Sequence, residues 1–263
     1  MSARLDAELA LRGLARSRTH AARLIAEGRV RIDGETAEKA SAKVGAGARL
    51  DVDADRWVSR AARKLVAALD AFGIDVAGRT ALDLGASTGG FTQVLRERGA
   101  APVLAVDVGH GQMAPAVAAD PQVRVVEGMN ARFMTRASLA EATGVADPPT
   151  IVTGDLSFIS LTHILPAVVD VADPSAAFVL LVKPQFEVGR ERIRAGVVED
   201  PALQAGAVRG VLDAAHGLGL GTLGAVPSPI SGTHGNREFI VHLARGGADP
   251  ATVDIDALVA RPE

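Results

Sequence analysis

The stretch from Thr80 to Phe91, TALDLGASTGGF, constrains this chain more than any other. Ala81, Leu82 and Leu84 form a short apolar run that breaks into Gly85, Gly89 and Gly90, and Phe91, Val94 and Leu95 then resume at helical spacing. This reads as strand, tight turn, helix. Glycine lets the backbone come close to a bound molecule, a helix start offers free N–H groups, and Asp83 near the strand's end supplies an acceptor. Such a turn can hold a dinucleotide, S-adenosylmethionine or nothing.

The residues that follow narrow the choice. Val103 to Val106 predict a second strand ending at Asp107, 24 positions after Asp83, where a doubly wound fold places a hydrogen bond to a ribose diol. Val123 to Val126 predict a third strand, followed by Glu127 and Asn130; Ile151 to Asp155 a fourth; Ala177 to Val182 a fifth, ending at Lys183. Strands alternating with helices through Val241 predict an α/β domain with a doubly wound, mostly parallel sheet, and Asp83, Asp107, Asp155 and Lys183 all fall at strand ends, where such sheets bind ligands. The turn lacks the G-x-G-x-x-G spacing that brings a pyrophosphate onto a helix start. S-adenosylmethionine has no phosphate and needs acceptors for its ammonium group, so Asp83 and the turn carbonyls favour it over NAD.

At 263 residues and 48% hydrophobic content, the chain has room for one large domain and a small one. It has no cysteine, which excludes disulfides, thiolate metal sites and cysteine nucleophiles. The first residues, MSARLDAELALRG, are charged throughout, and no apolar run approaches the roughly 20 residues of a membrane span, so a cytoplasmic protein with no membrane partner is expected. Charge is unevenly divided. Residues 1 to 64 hold 14 Lys and Arg against 9 Asp and Glu, and the remainder holds 14 against 22. The division suggests a basic module facing a polyanion, joined to a domain whose surface is not generally basic.

In that module Leu5, Leu9 and Leu11 lead to a stop at Gly13, Ser17 precedes a second helical stretch (Ala21, Leu24, Ile25) ending at Gly28, and Val30 and Ile32 alternate ahead of an Asp33-Gly34 hairpin turn. Arg4, Arg16, Arg18, Arg23, Arg29 and Arg31 cluster around these elements. Over about fifty residues the segment resembles the S4 RNA-binding domain, a fold that meets structured RNA through shape and phosphates. That resemblance implies RNA contacts by Arg4, Arg18, Arg23, Arg29 and Arg31. The expected organisation is an S4-like domain over residues 1–55, a linker over 56–62 in which Trp57 packs at the domain junction, a main domain over 63–246 and a weakly ordered tail over 247–263.

If the cofactor donates methyl, the acceptor remains to be read. Methylation of pyrimidine carbon 5 usually needs a cysteine adduct, and methylation of an exocyclic amine commonly uses an Asn/Asp-Pro-Pro-aromatic turn where this chain has DLSF. What stands there instead is Asp155 and Lys183 at adjacent strand ends, with Glu238 in a late segment and Lys64 on the helix before the first strand. Lysines held by carboxylates suit a hydroxyl acceptor, which must lose a proton as it attacks. Eight ordered motifs, RLDAELALRG, WVSRAARKL, LDLGASTGGFTQ, AVDVGHGQ, NAR, DLSFISL, LVKPQFEVGR and SPISGTHGNREF, resemble the TlyA family of rRNA 2'-O-methyltransferases over nearly the whole chain. The main domain is also similar to RrmJ/FtsJ-type enzymes, whose Lys-Asp-Lys-Glu tetrad falls on Lys64, Asp155, Lys183 and Glu238.

The resemblance implies a Rossmann-like class I methyltransferase that binds S-adenosylmethionine through Asp83, Gly85, Ala86, Ser87, Gly89, Gly90, Phe91, Asp107, Val108, Asn130 and Asp155 and methylates cytidine riboses of ribosomal RNA in one or both subunits, with no metal required. It implies that Lys183 lies closest to the acceptor hydroxyl, that Asp155 and Glu238 position the lysines, and that Lys64 assists electrostatically. The family commonly has Gly-Gly ahead of the first tetrad lysine, where this chain has Ala61, Ala62 and Arg63. Arg190, Arg192 and Arg194 form a charged loop after Lys183, and Arg190 is expected to contact RNA. The alternative is a binding protein that holds ribosomal RNA and keeps its cofactor site without catalysis. Although proteins of this family have also been called haemolysins, nothing here is amphipathic or apolar enough to suggest a pore.

Overall fold

Short apolar segments bounded by glycine and charge set the elements in the computed structural model, which describes residues 2–15, 17–26, 28–45, 47–52, 56–189, 196–232, 235–249 and 253–260. The chain forms two units, residues 1–56 and 57–263. In the first, β1 (Ser2–Arg4), α1 (Leu5–Leu11), α2 (Arg18–Ala26), β2 (Val30–Ile32), β3 (Glu35–Thr36), β4 (Lys43–Gly45) and β5 (Leu50–Val52) enclose a core that includes Leu5, Leu9, Leu24, Ile25 and Val30. The Asp33-Gly34 turn has both residues at positive φ and joins β2 to β3, as the sequence predicts. Pairing of β1 with β4 was not visible in the sequence, because three residues carry no periodicity.

The second unit begins at Trp57, which packs on the unit's own apolar cluster. Its elements are α3 (Ala61–Phe72), β6 (Ala81–Leu84), α4 (Gly90–Glu97), β7 (Val103–Asp107), α5 (Pro115–Ala118), β8 (Val123–Glu127), α6 (Arg136–Thr143), β9 (Ile151–Gly154), α7 (Leu161–Val171), β10 (Ala177–Val182), α8 (Pro184–Glu187), α9 (Pro201–Gly217), β11 (Leu220–Pro227), β12 (Phe239–Arg245) and α10 (Ile255–Val259). The sheet order is β11-β12-β10-β9-β6-β7-β8. Five strands, β10 through β8, are parallel, and β12 runs antiparallel between β10 and β11. The expected strand and helix alternation therefore ends after α9, where two strands follow in succession.

Side chains alternate between the faces, as the two-residue period of a strand requires. Ala81, Val103, Ile151, Val179 and Ile240 pack with α3 and α4, while Leu82, Leu104, Val152, Phe178 and Val241 pack with α7 and α9. Burial on both faces explains why β6 and β9 are buried at every position. The order reverses at β6, since β7 and β8 extend to one side and β9 and β10 to the other. The crevice outside the ends of β6 and β9 is thus the switch point at which doubly wound sheets bind ligands.

Two contacts bring α3 over that crevice. The Val58 amide donates to Gln93 Oε1 on α4 at 2.8 Å. A Cβ on Gly90 would lie 3.0 Å from Ser59 Oγ and 3.2 Å from the Ala62 amide nitrogen, so any larger residue would push the two helix starts apart by a few tenths of an ångström.

Residues expected to trail loosely after Arg245 instead fold back. Ala248 bridges Thr222, and Ile255 and Val259 are buried beside α9. Arg237 fixes the helix end by donating to the carbonyls of Val259 and Ala260. Ile255→Ala is expected to lower the second unit's unfolding free energy by about 2 kcal/mol or more in urea titration; a change within about 0.5 kcal/mol would mean α10 is not part of the core.

Candidate active site

Four ionisable side chains from four separate elements meet at the switch point. Lys64, in the first turn of α3, has Nζ 2.6 Å from Glu238 Oε2, just before β12, and 3.2 Å from Asp155 Oδ2, just after β9. Lys183, just after β10, has Nζ 2.6 Å from Asp155 Oδ1 and donates to Ser157 Oγ at 3.0 Å. Lys64, Lys183 and Glu238 are buried. Ionised, the four carry no net charge. Burial by itself raises the Asp155 pKa, but the charges of Lys183 and then Lys64 outweigh it and hold the carboxyl below its ordinary value. Ala61 and Ala62 do not keep Lys64 from this position, since Ala62 is fully buried within α3 and the lysine still reaches both carboxylates.

Two cavities flank this group. The larger, about 520 Å³, is lined by residues including Gly85, Ser87, Asp107, Val108, Gln112, Met129 and Asn130. The smaller, about 220 Å³, is lined by residues including Arg60, Lys64, Ala86, Gly90, Phe91, Lys183, Gly232 and Glu238. Gly85, Ser87, Asp155 and Ser157 line both, so the cavities adjoin along the turn and the loop after β9.

The larger cavity fits S-adenosylmethionine. Asp107 stands at the end of β7 with Oδ2 accepting from the Ser87 amide at 2.8 Å and Oδ1 from the Gly109 amide at 2.7 Å, which fixes its carboxylate in the cavity wall. Val108 is 65% exposed in this cavity wall and offers an apolar face for a base. Asn130 lines the same cavity, its Oδ1 capping the turn at Ala131–Phe133 by accepting from the Arg132 amide. Among the described residues no group of His, Cys, Asp and Glu is arranged to hold a metal.

Five of the expected cofactor residues stand outside this cavity: Ala86, Gly90 and Phe91 line only the smaller one, and Asp83 and Gly89 line neither. Asp83 is 1% exposed behind the turn, where its oxygens accept from Thr92 Oγ1 at 2.6 Å and Thr153 Oγ1 at 3.3 Å. Burial dominates there and pushes its pKa up to about 7. Gly89 also lines neither cavity and starts α4 at a φ of +91°.

The sequence reading missed Ser157, Gly232 and Glu187. A Cβ on Gly232 would stand 2.1 Å from Glu238 Oε1, so the loop before β12 must carry glycine there for Glu238 to reach Lys64. Glu187, on α8, accepts from Ser160 Oγ at 2.5 Å and from the Leu161 amide at 2.9 Å, tying the loop after Lys183 to the start of α7. Burial raises its pKa, against those two hydrogen bonds.

In the first unit, Arg4 and Arg18 share the buried Asp6, at 3.0 and 3.2 Å, while their own side chains stay exposed. The hydrogen bond from Arg4 leads in pulling the Asp6 carboxyl down to about 2. Arg23 and Arg31 are exposed, and Arg29 is half-buried beside Arg31 and Asp51. Arg16, Arg190, Arg192 and Arg194 lie outside the described residues.

Known proteins repeat both parts. A family model described as FtsJ-like methyltransferase matches residues 57–245, and one described as S4 domain matches residues 3–50. The 16S/23S rRNA (cytidine-2'-O)-methyltransferase TlyA of Mycobacterium tuberculosis is 51% identical over 245 residues, covering 92% of this chain and 89% of that protein. A solved structure from Streptococcus thermophilus, provisionally named a hemolysin, aligns with a TM-score of 0.77 at 35% identity over 98% of this chain and 94% of that one. An S-adenosylmethionine dependent methyltransferase from Mesorhizobium loti shares the fold at 16% identity, with a TM-score of 0.50 over 68% of this chain and 96% of that one.

The raised Asp83 pKa makes a stability prediction. The folded chain holds this proton more tightly than the unfolded chain, so the stability Asp83 contributes is present below about pH 4 and lost as pH rises to about 7. Relative to Asp83→Asn, the wild type is expected to lose on the order of 4 kcal/mol across that window in urea titrations at successive pH values. A difference that stays flat with pH would show that Asp83 is ionised throughout.

Proposed function

The chain belongs to the FtsJ-like methyltransferases with an S4 domain, the TlyA group, and on that footing we propose that it transfers a methyl group from S-adenosylmethionine to the 2'-hydroxyl of cytidine in ribosomal RNA of the small subunit, the large subunit or both. One observation carries the reading. A cavity fitted to the methyl donor adjoins a second cavity walled by two lysines and two carboxylates.

When bound, S-adenosylmethionine supplies an electrophilic methyl group, whose C–S bond breaks as the acceptor oxygen's electron pair forms the O–C bond. Gly85, Ser87, Asp107, Val108 and Asn130 are the residues that would hold it. The chain's own part is proton handling and orientation. Lys64 is bracketed by the carboxylates of Asp155 and Glu238 beside the acceptor cavity. Lys183 meets one shared carboxylate and a neutral hydroxyl, and it stands on the acceptor cavity's wall where a substrate hydroxyl would lie. In its neutral form it takes the proton of the 2'-hydroxyl. Asp155 meets both amines, accepting from Lys64 on Oδ2 and pairing with Lys183 through Oδ1, and Glu238 holds Lys64 from the far side.

Arg4, Arg18, Arg23, Arg29 and Arg31 supply a phosphate-facing surface, with Asp6 orienting the first two. A ribosomal substrate supports a cytoplasmic site of action, and no helix among the described residues is long and apolar enough to cross a membrane.

Lys183→Ala is expected to lower methyl transfer to ribosomal subunits by about 100-fold or more while leaving S-adenosylmethionine binding intact. Full activity in that variant would remove Lys183 from the mechanism, and a wild type that binds both ligands without transfer would leave binding alone as the function.

A further inference from the structure

Ser157 sits where the two cavities meet, and nothing in the four-residue tetrad accounts for it. Its Oγ accepts from Lys183 Nζ at 3.0 Å, and the side chain lines both the donor and the acceptor cavity. The two lysines are therefore held differently. Lys64 has a carboxylate on each side, whereas Lys183 has Asp155 on one side and this hydroxyl on the other. Among the described residues the other charged groups near Lys183 are placed as follows: Lys64 and Glu238 lie beyond Asp155, Arg60 stands on the smaller cavity's wall, and Glu187 is turned to the start of α7.

We propose that Ser157 is a positioning residue for methyl transfer, setting the Lys183 amine at the seam between the cavities while adding no second charge to hold its proton. An ammonium has three donors; here one is directed at Ser157, and the amine is paired with Asp155 Oδ1 at 2.6 Å on another side. With those two directions fixed, the third position on nitrogen is the one that meets the acceptor. A carboxylate in place of Ser157 would orient the amine equally well but would stabilise its charged form. The hydroxyl orients without that penalty. During transfer the acceptor's O–H bond breaks, its proton passes to Lys183 Nζ, and the oxygen's pair forms the bond to methyl as the methyl–sulfur bond of the donor breaks and its pair returns to sulfur.

The inference rests on the methyltransferase reading above, and the test separates the two. The chain has only four lysines, Lys39, Lys43, Lys64 and Lys183, so the 13Cε signals of a lysine-labelled sample can be assigned by single substitutions and titrated without any turnover. Ser157→Ala is expected to lower kcat about 10-fold or more with S-adenosylmethionine affinity within about twofold of wild type, and Ser157→Thr, which keeps the hydroxyl, to restore most of it. Ser157→Asp is expected to move the Lys183 titration and the acid limb of the kcat profile to higher pH together, by about one unit.

Ser157→Ala with wild-type kcat, or Ser157→Asp with an unmoved Lys183 titration, would overturn the proposal. A wild type that methylates no ribosomal RNA would instead overturn the reading beneath it.

Discussion

The Asp155 carboxylate, shared between two buried lysines, is the interaction on which the rest of this site depends. Each oxygen takes one ammonium, at 2.6 and 3.2 Å, and Glu238 takes the far side of Lys64 at 2.6 Å. Removing an ion from water costs several kcal/mol even after relaxation, so such a group persists only when every charge is matched and aligned. Loss of any one member leaves an uncompensated charge in a closed place. The neighbouring Asp83 shows the other outcome, since it has two hydroxyls but no cation and burial pushes its pKa up to about 7.

The architecture follows from the need to assemble that group. Parallel strands put Asp155 and Lys183 side by side at the ends of β9 and β10, and the reversal of strand order at β6 opens the crevice they face. Lys64 comes from a helix that precedes the sheet, and Glu238 from the loop that leads into the strand inserted antiparallel beside β10. Gly90 lets α3 settle over the turn, and Gly232 clears the space that Glu238 occupies. Both glycines matter for the room they leave to another residue's charge.

Much of this was legible in the sequence because residue type and period agreed. The β7, β9 and β10 strands are short apolar runs that end in or run into a charged residue, which marks both an element and a candidate ligand at once. The Ser17 start, the Gly28 stop and the Asp33-Gly34 turn likewise have local chemical causes. What stayed hidden depends on pairing between distant residues. The engagement of Asp83 with Thr153 spans seventy positions, and the link between Lys183 and Ser157 is a matter of which rotamer a loop allows. The antiparallel insertion of β12 and the return of α10 were also invisible, since neither changes the hydrophobic pattern of its own segment.

The account's central claim is that the acceptor atom is a ribose oxygen. Methylation at the 2'-oxygen protects the adjacent phosphodiester from alkali, whereas methylation of a base does not. Ribosomal subunits incubated with this protein and methyl-labelled S-adenosylmethionine should therefore yield label in alkali-stable dinucleotides that begin with 2'-O-methylcytidine. Label released only in mononucleotides, or no label from any subunit, would contradict it.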